Sequence, residues 1–375
     1  MSAILFRYIV RTYLAAFAGI LAGGVAIFLV ADFVDRARMY SGPGWVLEVS
    51  ILYGNKALLA IEQLGPAALL LAAGAMVTLL KRRGELTALS SLTVGPSGIY
   101  LPIALCALVA SGGLIAFDEV LCVDAGRRVD EINATRFNRW GDWSSFFATQ
   151  KWFRRGDRIF YLREGDAESG FGNVTLLELN DEFRLARRLD ARRLVHLSGT
   201  TWAMESVVER TFTASGGSTV KSQPRAELDL GTTERPFRIR QGRPEQMRLP
   251  QLREQIRARR DGGLAFGLYA LALHSRFAYP LAGLPAALVA AGLALRPGRR
   301  AHLTAALVEG LGIAVALWAL MVVLRTLVLA QRVAAGPAAW APFALLAAAA
   351  AALWLRREGL PGAFAVHQRT AMSRR

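Results

Sequence analysis

The sequence predicts a polytopic α-helical membrane protein: six transmembrane helices, with an all-β, jelly-roll-like domain inserted after the third. Three observations carry this prediction. Apolar residues make up 53% of the 375 positions, yet the chain also bears a formal net charge of +16; the apolar residues gather in six runs; and the charge gathers between them. A disordered chain would be poor in aromatic and β-branched residues, and a nucleic-acid-binding domain would exceed the 20% charged content found here. Neither class fits.

The runs lie near residues 12–33, 57–80, 98–117, 277–295, 303–324 and 339–355. Each is about as long as a helix rising 1.5 Å per residue must be to cross a hydrocarbon core of roughly 30 Å. The first follows Arg7 and Arg11 but is too long for a secretory signal, and it ends at Asp32-Phe33-Val34-Asp35 without a small-x-small cleavage pattern. It is therefore expected to stay as a span. With six spans the two termini share a side. Segments 1–11, 81–97, 296–302 and 356–375 hold 2, 3, 3 and 5 Lys+Arg, 13 in all, against 3 in loop 34–56 and 1 in loop 330–338. Short cytoplasmic loops retain positive charge, so both termini are expected in the cytoplasm and the central stretch on the outer, periplasm-like side. Trp45, Trp318, Trp340 and Trp354 are expected near span ends as interfacial belt residues.

The expected organisation is thus 1–117 for helices 1–3, 118–262 for the outer domain and 263–375 for helices 4–6 with a basic tail. Residues 118–262 hold 26 Lys+Arg and 22 Asp+Glu and no run long enough to span. Short strand-like segments are expected at 158–162, 174–179, 192–197, 202–207, 210–213 and 236–239. Turn signals separate them at Gly156-Asp157, Gly170-Phe171-Gly172 and Gly216-Gly217. Alternation places Ile159 and Tyr161 inward. Residues 249–260 read as a short basic helix leading back to the membrane.

Few features carry chemistry. A phosphate-binding G-x-x-x-x-G-K-[ST] loop needs a Lys after Gly, and Lys56, Lys81, Lys151 and Lys221 all lack one. ATP-driven work would belong to a separate subunit. Cys106 and Cys122 are too far apart along a helix to bridge, and no Cys/His cluster supports a metal. Gly95-Pro96-Ser97-Gly98 matches the short G-x-S-G pattern of intramembrane serine hydrolases. A His partner for Ser97 is hard to find, because His196 and His274 lie on the outer side and His302 and His367 outside any span; a helix-capping turn is the plainer account.

The loop after helix 2 mixes charge with Leu86, Leu89 and Leu92 at every third position. A short helix there would carry Glu85 near its N-terminus, either lying in the headgroups or docking a cytoplasmic partner. At the outer end of helix 1, Asp32 and Arg36 are an i,i+4 pair, while Arg36 and Arg38 could instead meet an anionic headgroup through forked donors. Gly19 and Gly23 form a G-x-x-x-G that permits close helix packing. Glu62 and Glu309 fall inside spans and receive no role.

Taken in order, several stretches resemble the LptF/LptG family of lipopolysaccharide export permeases: Arg7-Tyr8-Ile9; Arg83-Gly84-Glu85-Leu86-Thr87-Ala88-Leu89; Trp152-Phe153-Arg154-Arg155-Gly156-Asp157 with Leu194 and Trp202 downstream; His274-Ser275-Arg276-Phe277-Ala278-Tyr279-Pro280; and Ala339-Trp340-Ala341-Pro342. Thr93 and the Pro-free Glu119-Val120-Leu121-Cys122 depart from the pattern. The segment Val30-Ala31-Asp32-Phe33-Val34-Asp35 is more similar to LptG than to LptF. The resemblance implies a half-transporter of an ABC system in the bacterial inner membrane. It implies pairing with an LptF-like paralogue, and docking of an LptB-like ATPase dimer through Arg82, Arg83, Glu85, Leu86 and Leu89. It also implies an LptC-like single-span neighbour, a periplasmic bridge and contact of lipopolysaccharide phosphates with Arg36 and Arg38. No cofactor is implied for this chain, ATP being bound by the partner. A serine hydrolase centred on Ser97 and a non-transport envelope scaffold are the alternatives.

Overall fold

Lipid offers the backbone no hydrogen-bond partners, so a crossing chain must satisfy its own peptide groups within helices. The computed structural model describes residues 3–41, 44–91, 97–137, 151–166, 170–180, 182–212, 217–230, 243–261, 264–296 and 302–358. These include six helices long and apolar enough to cross a membrane. The helices are α1 (Ala3–Arg36), α2 (Trp45–Arg82), the short α3 (Glu85–Ser91), α4 (Ser97–Phe117), α5 (Val123–Thr135), α6 (Leu249–Asp261), α7 (Gly267–Ala294), α8 (Leu303–Leu329) and α9 (Ala335–Glu358). Two compact units result, Met1–Phe137 with Ala270–Arg375, and Asn138–Tyr269.

In the helical unit α2 is central. Its core face is Leu69, Leu70, Ala72, Ala73, Met76, Val77 and Leu80, and it meets an alanine-rich face of α7 comprising Ala286, Ala287, Ala290 and Ala291. Small residues matter here because lipid tails are as apolar as leucine, so helices associate by close packing rather than by escape from water. A Cβ on Gly283 of α7 would come within 2.8 Å of Leu69 Cδ1, and one on Gly310 of α8 within 2.8 Å of Leu71 Cδ2. On α2 itself, a Cβ at Gly65 would lie 2.6 Å from Leu114 of α4. The expected packing pair behaves differently: a Cβ at Gly19 or Gly23 would meet nothing within 4 Å. Those two glycines face away from every described neighbour.

The third span runs past its expected end. Asp118 and Glu119 read as the exit from the membrane, and the outer domain was placed from residue 118. Instead the helix continues through one π turn, Asp118–Cys122, into α5, and the second unit begins at Asn138. The acids are tolerated because Arg276 of α7 meets both: Nε lies 3.3 Å from Asp118 Oδ2 and Nη1 donates to Glu119 Oε2 at 2.8 Å. In a regular α-helix adjacent residues diverge by about 100°, and the wider π turn lets both carboxylates reach one guanidinium. Glu62 of α2 lies within electrostatic range of Asp118 and Arg276. Beside it the Tyr279 hydroxyl donates to the Gln63 carbonyl, next to Pro66, whose missing N–H interrupts the helix ladder.

Loop 34–56 likewise proves partly helical, since α2 starts at Trp45. Its first turns pack on α5 through Tyr40, Val49, Leu52, Val129, Ile132 and Phe137, and Arg136 pairs with Glu48 at 3.1 Å. Both cysteines are buried and unbridged, as their spacing requires. Trp318 sits mid-way along α8 and is 62% exposed, not at a span end, because α8 continues to Leu329.

The second unit is all-β. Strands β1 (Lys151–Arg155), β2 (Arg158–Asp166), β3 (Gly170–Leu179), β4 (Leu185–Ser198), β5 (Thr201–Phe212) and β6 (Ser218–Asp229) form one antiparallel sheet in consecutive order. No second sheet occurs among the described residues, and the expected strand at 236–239 lies outside them. The expected segments 202–207 and 210–213 are not two strands: residues 202–207 and 210–212 lie in the single strand β5, and neither β1 nor β6 has a counterpart among the expected segments. The register also differs from expectation. Phe160 and Leu162, not Ile159 and Tyr161, enter the core, because they pair with Leu176 and Val174 of β3. A one-residue change of phase moves every side chain to the other face. The rows Leu162–Val174–Ala191–Val207 and Phe171–Leu194–Met204 then line one apolar face, completed by a fully buried Trp202. Residues 249–260 form α6 as expected, with Arg259 donating to the Tyr269 hydroxyl at 2.8 Å.

Two outcomes follow from this packing. Gly283→Leu or Gly310→Leu forces a side chain into α2 and is expected to destabilise the helical unit by about 1–3 kcal/mol, whereas Gly19→Leu leaves it unchanged; thermal unfolding of the purified protein in detergent checks both. Arg276→Ala strands two carboxylates and is expected to lower stability by about 3–5 kcal/mol, with Asp118→Asn and Glu119→Gln restoring part of the loss in the same background.

Candidate functional site

Besides the Arg276 cluster, the helical unit carries polar groups at both ends of α1. At its N-terminal end the Tyr8 hydroxyl donates to Glu85 Oε2 at 2.7 Å, and Arg83 lies 3.8 Å from the other carboxylate oxygen. Gly84, at φ +72°, makes the left-handed step that starts α3, and its carbonyl accepts from Thr87 and Ala88. The helix has a half-buried side and an exposed side. Leu86 packs against the helical core, and Leu89 is half-buried. Arg82, Arg83 and Thr87 are exposed. Leu92, the third leucine of the expected row, lies outside the described residues. Close by, the Lys81 ammonium donates to the Arg296 carbonyl at the end of α7, 2.9 Å away.

At the C-terminal end of α1, Asp32 gathers donors from two helices. Lys56 Nζ of α2 lies 2.5 Å from Oδ2, the Tyr53 hydroxyl donates to the same oxygen at 2.8 Å, and Arg36 Nε lies 3.0 Å from Oδ1. Lys56 also stands over the Tyr53 ring, 4.6 Å from its centroid. With its proton directed at Asp32, Tyr53 is left to accept from Tyr40, 3.2 Å away. Phe33, Tyr40, Tyr53 and Phe137 surround the cluster with stacked and edge-on contacts. The sequence foresaw the Asp32–Arg36 pair but not Lys56 or the tyrosines. Helical spacing reveals a partner four residues away; it carries no signal for one 24 residues away on another helix. Of the two arginines read as headgroup contacts, Arg36 is therefore engaged by Asp32 and Arg38 is exposed.

Between these ends α1 packs on the core through its N-terminal half, where Leu5, Val10, Phe17 and Ile20 are partly buried against it. Ile9, Tyr13 and Val25 are its buried residues, with the Tyr13 hydroxyl donating to the Leu69 carbonyl at 3.0 Å. Ile27, Val30 and Val34 are exposed, and so are Val308, Leu311, Val315 and Trp318 on α8. Such surfaces suit lipid or another protein within a membrane, not water.

No arrangement for nucleophilic catalysis forms among the described residues. Ser97 is an exposed residue opening α4. His196 is bound to the Gly199 carbonyl and stacked edge-on against Trp202 in the sheet, and His274 lies beside Gly336. His302 precedes α8, and His367 lies outside the described residues. No group of His, Cys, Asp and Glu with metal-binding geometry occurs among the described residues either.

A family model described as lipopolysaccharide export system permease LptF/LptG matches residues 7–356, from the first turns of α1 to the last turn of α9. No curated protein matches the chain. Six apolar helices interrupted after the third by an antiparallel sheet, matched over that whole length, show that the chain belongs to the LptF/LptG family of lipopolysaccharide export permeases and is a multi-pass transporter subunit of the inner membrane.

Proposed function

We propose that this chain is the LptG-like half of an ABC transporter that extracts lipopolysaccharide from the inner membrane and hands it to a periplasmic bridge. The observation that carries the proposal is the family match over residues 7–356 on a six-span chain with an inserted sheet. The physics of the cargo supports it. Each buried CH2 is worth about 0.8 kcal/mol, so moving a lipid with several acyl chains into water costs on the order of tens of kcal/mol. An apolar enclosure and an external energy source are both required. The exposed apolar faces of α1 and α8, with Gly19 and Gly23 open to close approach, suit an LptF-like paralogue and an LptC-like single span as neighbours. Arg36 and Arg38 suit the phosphates of the headgroup.

The asymmetry of basic residues, 13 on one set of loops against 4 on the other, favours cytoplasmic termini and a periplasmic sheet. That orientation puts α3 in the cytoplasm, where Arg82, Arg83 and Thr87 form the outward part of a docking surface for an LptB-like ATPase dimer. Glu85, tied to Tyr8, links that surface to α1, while Leu86 and Leu89 seat α3 on the membrane unit. ATP binding and hydrolysis belong to the partner, and this chain needs no cofactor. β6, at the edge of the sheet and exposed along most of its length, suits strand addition by the bridge.

In proteoliposomes containing the assembled transporter, Glu85→Ala is expected to lower ATP-dependent lipopolysaccharide release about tenfold, the effect of losing one charge-assisted contact. Thr87→Asp is expected to lower it by a similar factor through an uncompensated charge placed on the docking surface. The melting temperature should be retained in Thr87→Asp, whose side chain is exposed, and fall slightly in Glu85→Ala, which also loses the bond from Tyr8. Undiminished release in both variants would overturn the docking assignment.

A further inference from the structure

We propose that Asp32 is a displaceable counter-ion: its carboxylate fills an anion cradle formed by Lys56, Tyr53 and Arg36, and the phosphate of an incoming lipid headgroup takes its place. This rests on the lipid-export reading above and assigns the regulation of the same site. The geometry is that of a built anion site already holding an anion. Three donors converge on one carboxylate at 2.5, 2.8 and 3.0 Å, two of them cationic, and the Lys56 and Asp32 side chains are only 8% and 10% exposed. A phosphate presents the same oxygen acceptors to such donors, with more charge.

Two further features separate a displaceable carboxylate from a fixed prop. Lys56 does not depend on Asp32 alone, because the face of Tyr53 holds its ammonium when the carboxylate leaves. Asp32 is close to water, because it lies one turn before the end of α1, followed by the single 3-10 turn Ala37–Met39. Arg38, exposed within that turn, supplies a first contact for an approaching anion. The cradle carries Lys56 and Arg36 against Asp32, a net charge of +1, and release of Asp32 raises this to +2. Two of the three donors belong to α2 and Asp32 to α1. Because Arg36 also belongs to α1, exchange of one anion for another replaces the direct Asp32 tie between α1 and α2 by one that runs from Arg36 through the phosphate to Lys56, and headgroup recognition becomes a change in how α1 is held.

The test uses the assembled transporter in nanodiscs and three probes: bisphosphorylated lipid A, its dephosphorylated form and inorganic phosphate. Asp32→Asn keeps the side chain's size and an acceptor for Tyr53 while removing the competing charge. It is expected to tighten binding of bisphosphorylated lipid A about tenfold, the effect of one charge-assisted contact, and to leave the dephosphorylated lipid unchanged. Lys56→Met in the Asp32→Asn background is expected to abolish the gain. Unchanged or weaker binding by Asp32→Asn, with wild-type binding of the phosphorylated lipid intact, would overturn the counter-ion role and leave the lipid-export reading standing. Wild-type binding of neither lipid would overturn both. Tightening toward inorganic phosphate alone would assign the cradle to a soluble anion and overturn the lipid role. Hydrogen exchange on the wild type needs no variant to fold: bisphosphorylated lipid A, but not its dephosphorylated form, is expected to change exchange across residues 32–41, and equal exchange with both would overturn the proposal.

Discussion

The close packing of α2 against α7 and α8 is the interaction on which the rest of the helical unit depends. A membrane removes the usual reason for helices to come together, since lipid covers apolar side chains as well as a neighbouring helix does. What remains is the dispersion energy of backbones brought near each other, and that requires small residues where they cross. α2 provides Ala68, Ala72, Ala73, Gly74 and Ala75, and α7 answers with alanines and Gly283. The consequence is a sharp division of labour. In the apolar windows of α2 and α7, 72% and 67% of residues are buried, against none for α1 and 6% for α8. Two helices form a rigid centre, and two others keep their surface for lipid or partners.

Because α1 packs on the core mainly through its N-terminal half, from Leu5 to Ile20, polar ties contribute to holding it in place. Tyr8 meets Glu85 at one end, Asp32 meets Lys56 and Tyr53 at the other, and Tyr13 reaches the Leu69 carbonyl between them. Those of Asp32 and Tyr13, out of contact with most of the solvent, are strengthened by a low local dielectric, and each of these ties can be exchanged for an equivalent bond to a different group. An apolar interface of similar strength offers no such exchange, because its energy comes from shape shared by many atoms. A helix that must alternate between neighbours is better held by a few exchangeable contacts than by a packed face. The Arg276 cluster makes the contrast clear. There the guanidinium meets two carboxylates on a π turn and fixes α4 to α7 within the rigid part of the unit.

Much of this fold was legible because membrane physics writes long, simple patterns. Six apolar runs gave six spans, and their order around a polar, strand-rich middle gave the inserted sheet. The errors share one cause. Asp118-Glu119 looked like an exit, Lys56 looked like a loop charge and Trp318 looked like a belt residue because each was judged by its neighbours in sequence. Arg276, 157 positions beyond Glu119, is what keeps that helix going. In the sheet, both alternating sets of β2 are apolar, Ile159 with Tyr161 and Phe160 with Leu162. Composition cannot choose between them; the pairing of β2 with β3 does.

The candidate site was legible in kind but not in detail, for a reason specific to charge. Net charge is a sum, and a sum is blind to pairing. Counting basic residues over loops could favour an orientation, because orientation depends on totals. It could not show that Arg36 is already engaged, nor that Lys56 contributes a buried cation to the same place. Those facts depend on Asp32, a residue of the opposite sign that a count of basic residues ignores. The i,i+4 rule recovered half of the arrangement because Asp32 and Arg36 share a helix face. The other half comes from α2, brought alongside by alanines and glycines that carry no charge at all. The electrostatics at the end of α1 are thus set by packing deep in the bilayer, where the sequence offers only small, apolar and individually unremarkable residues.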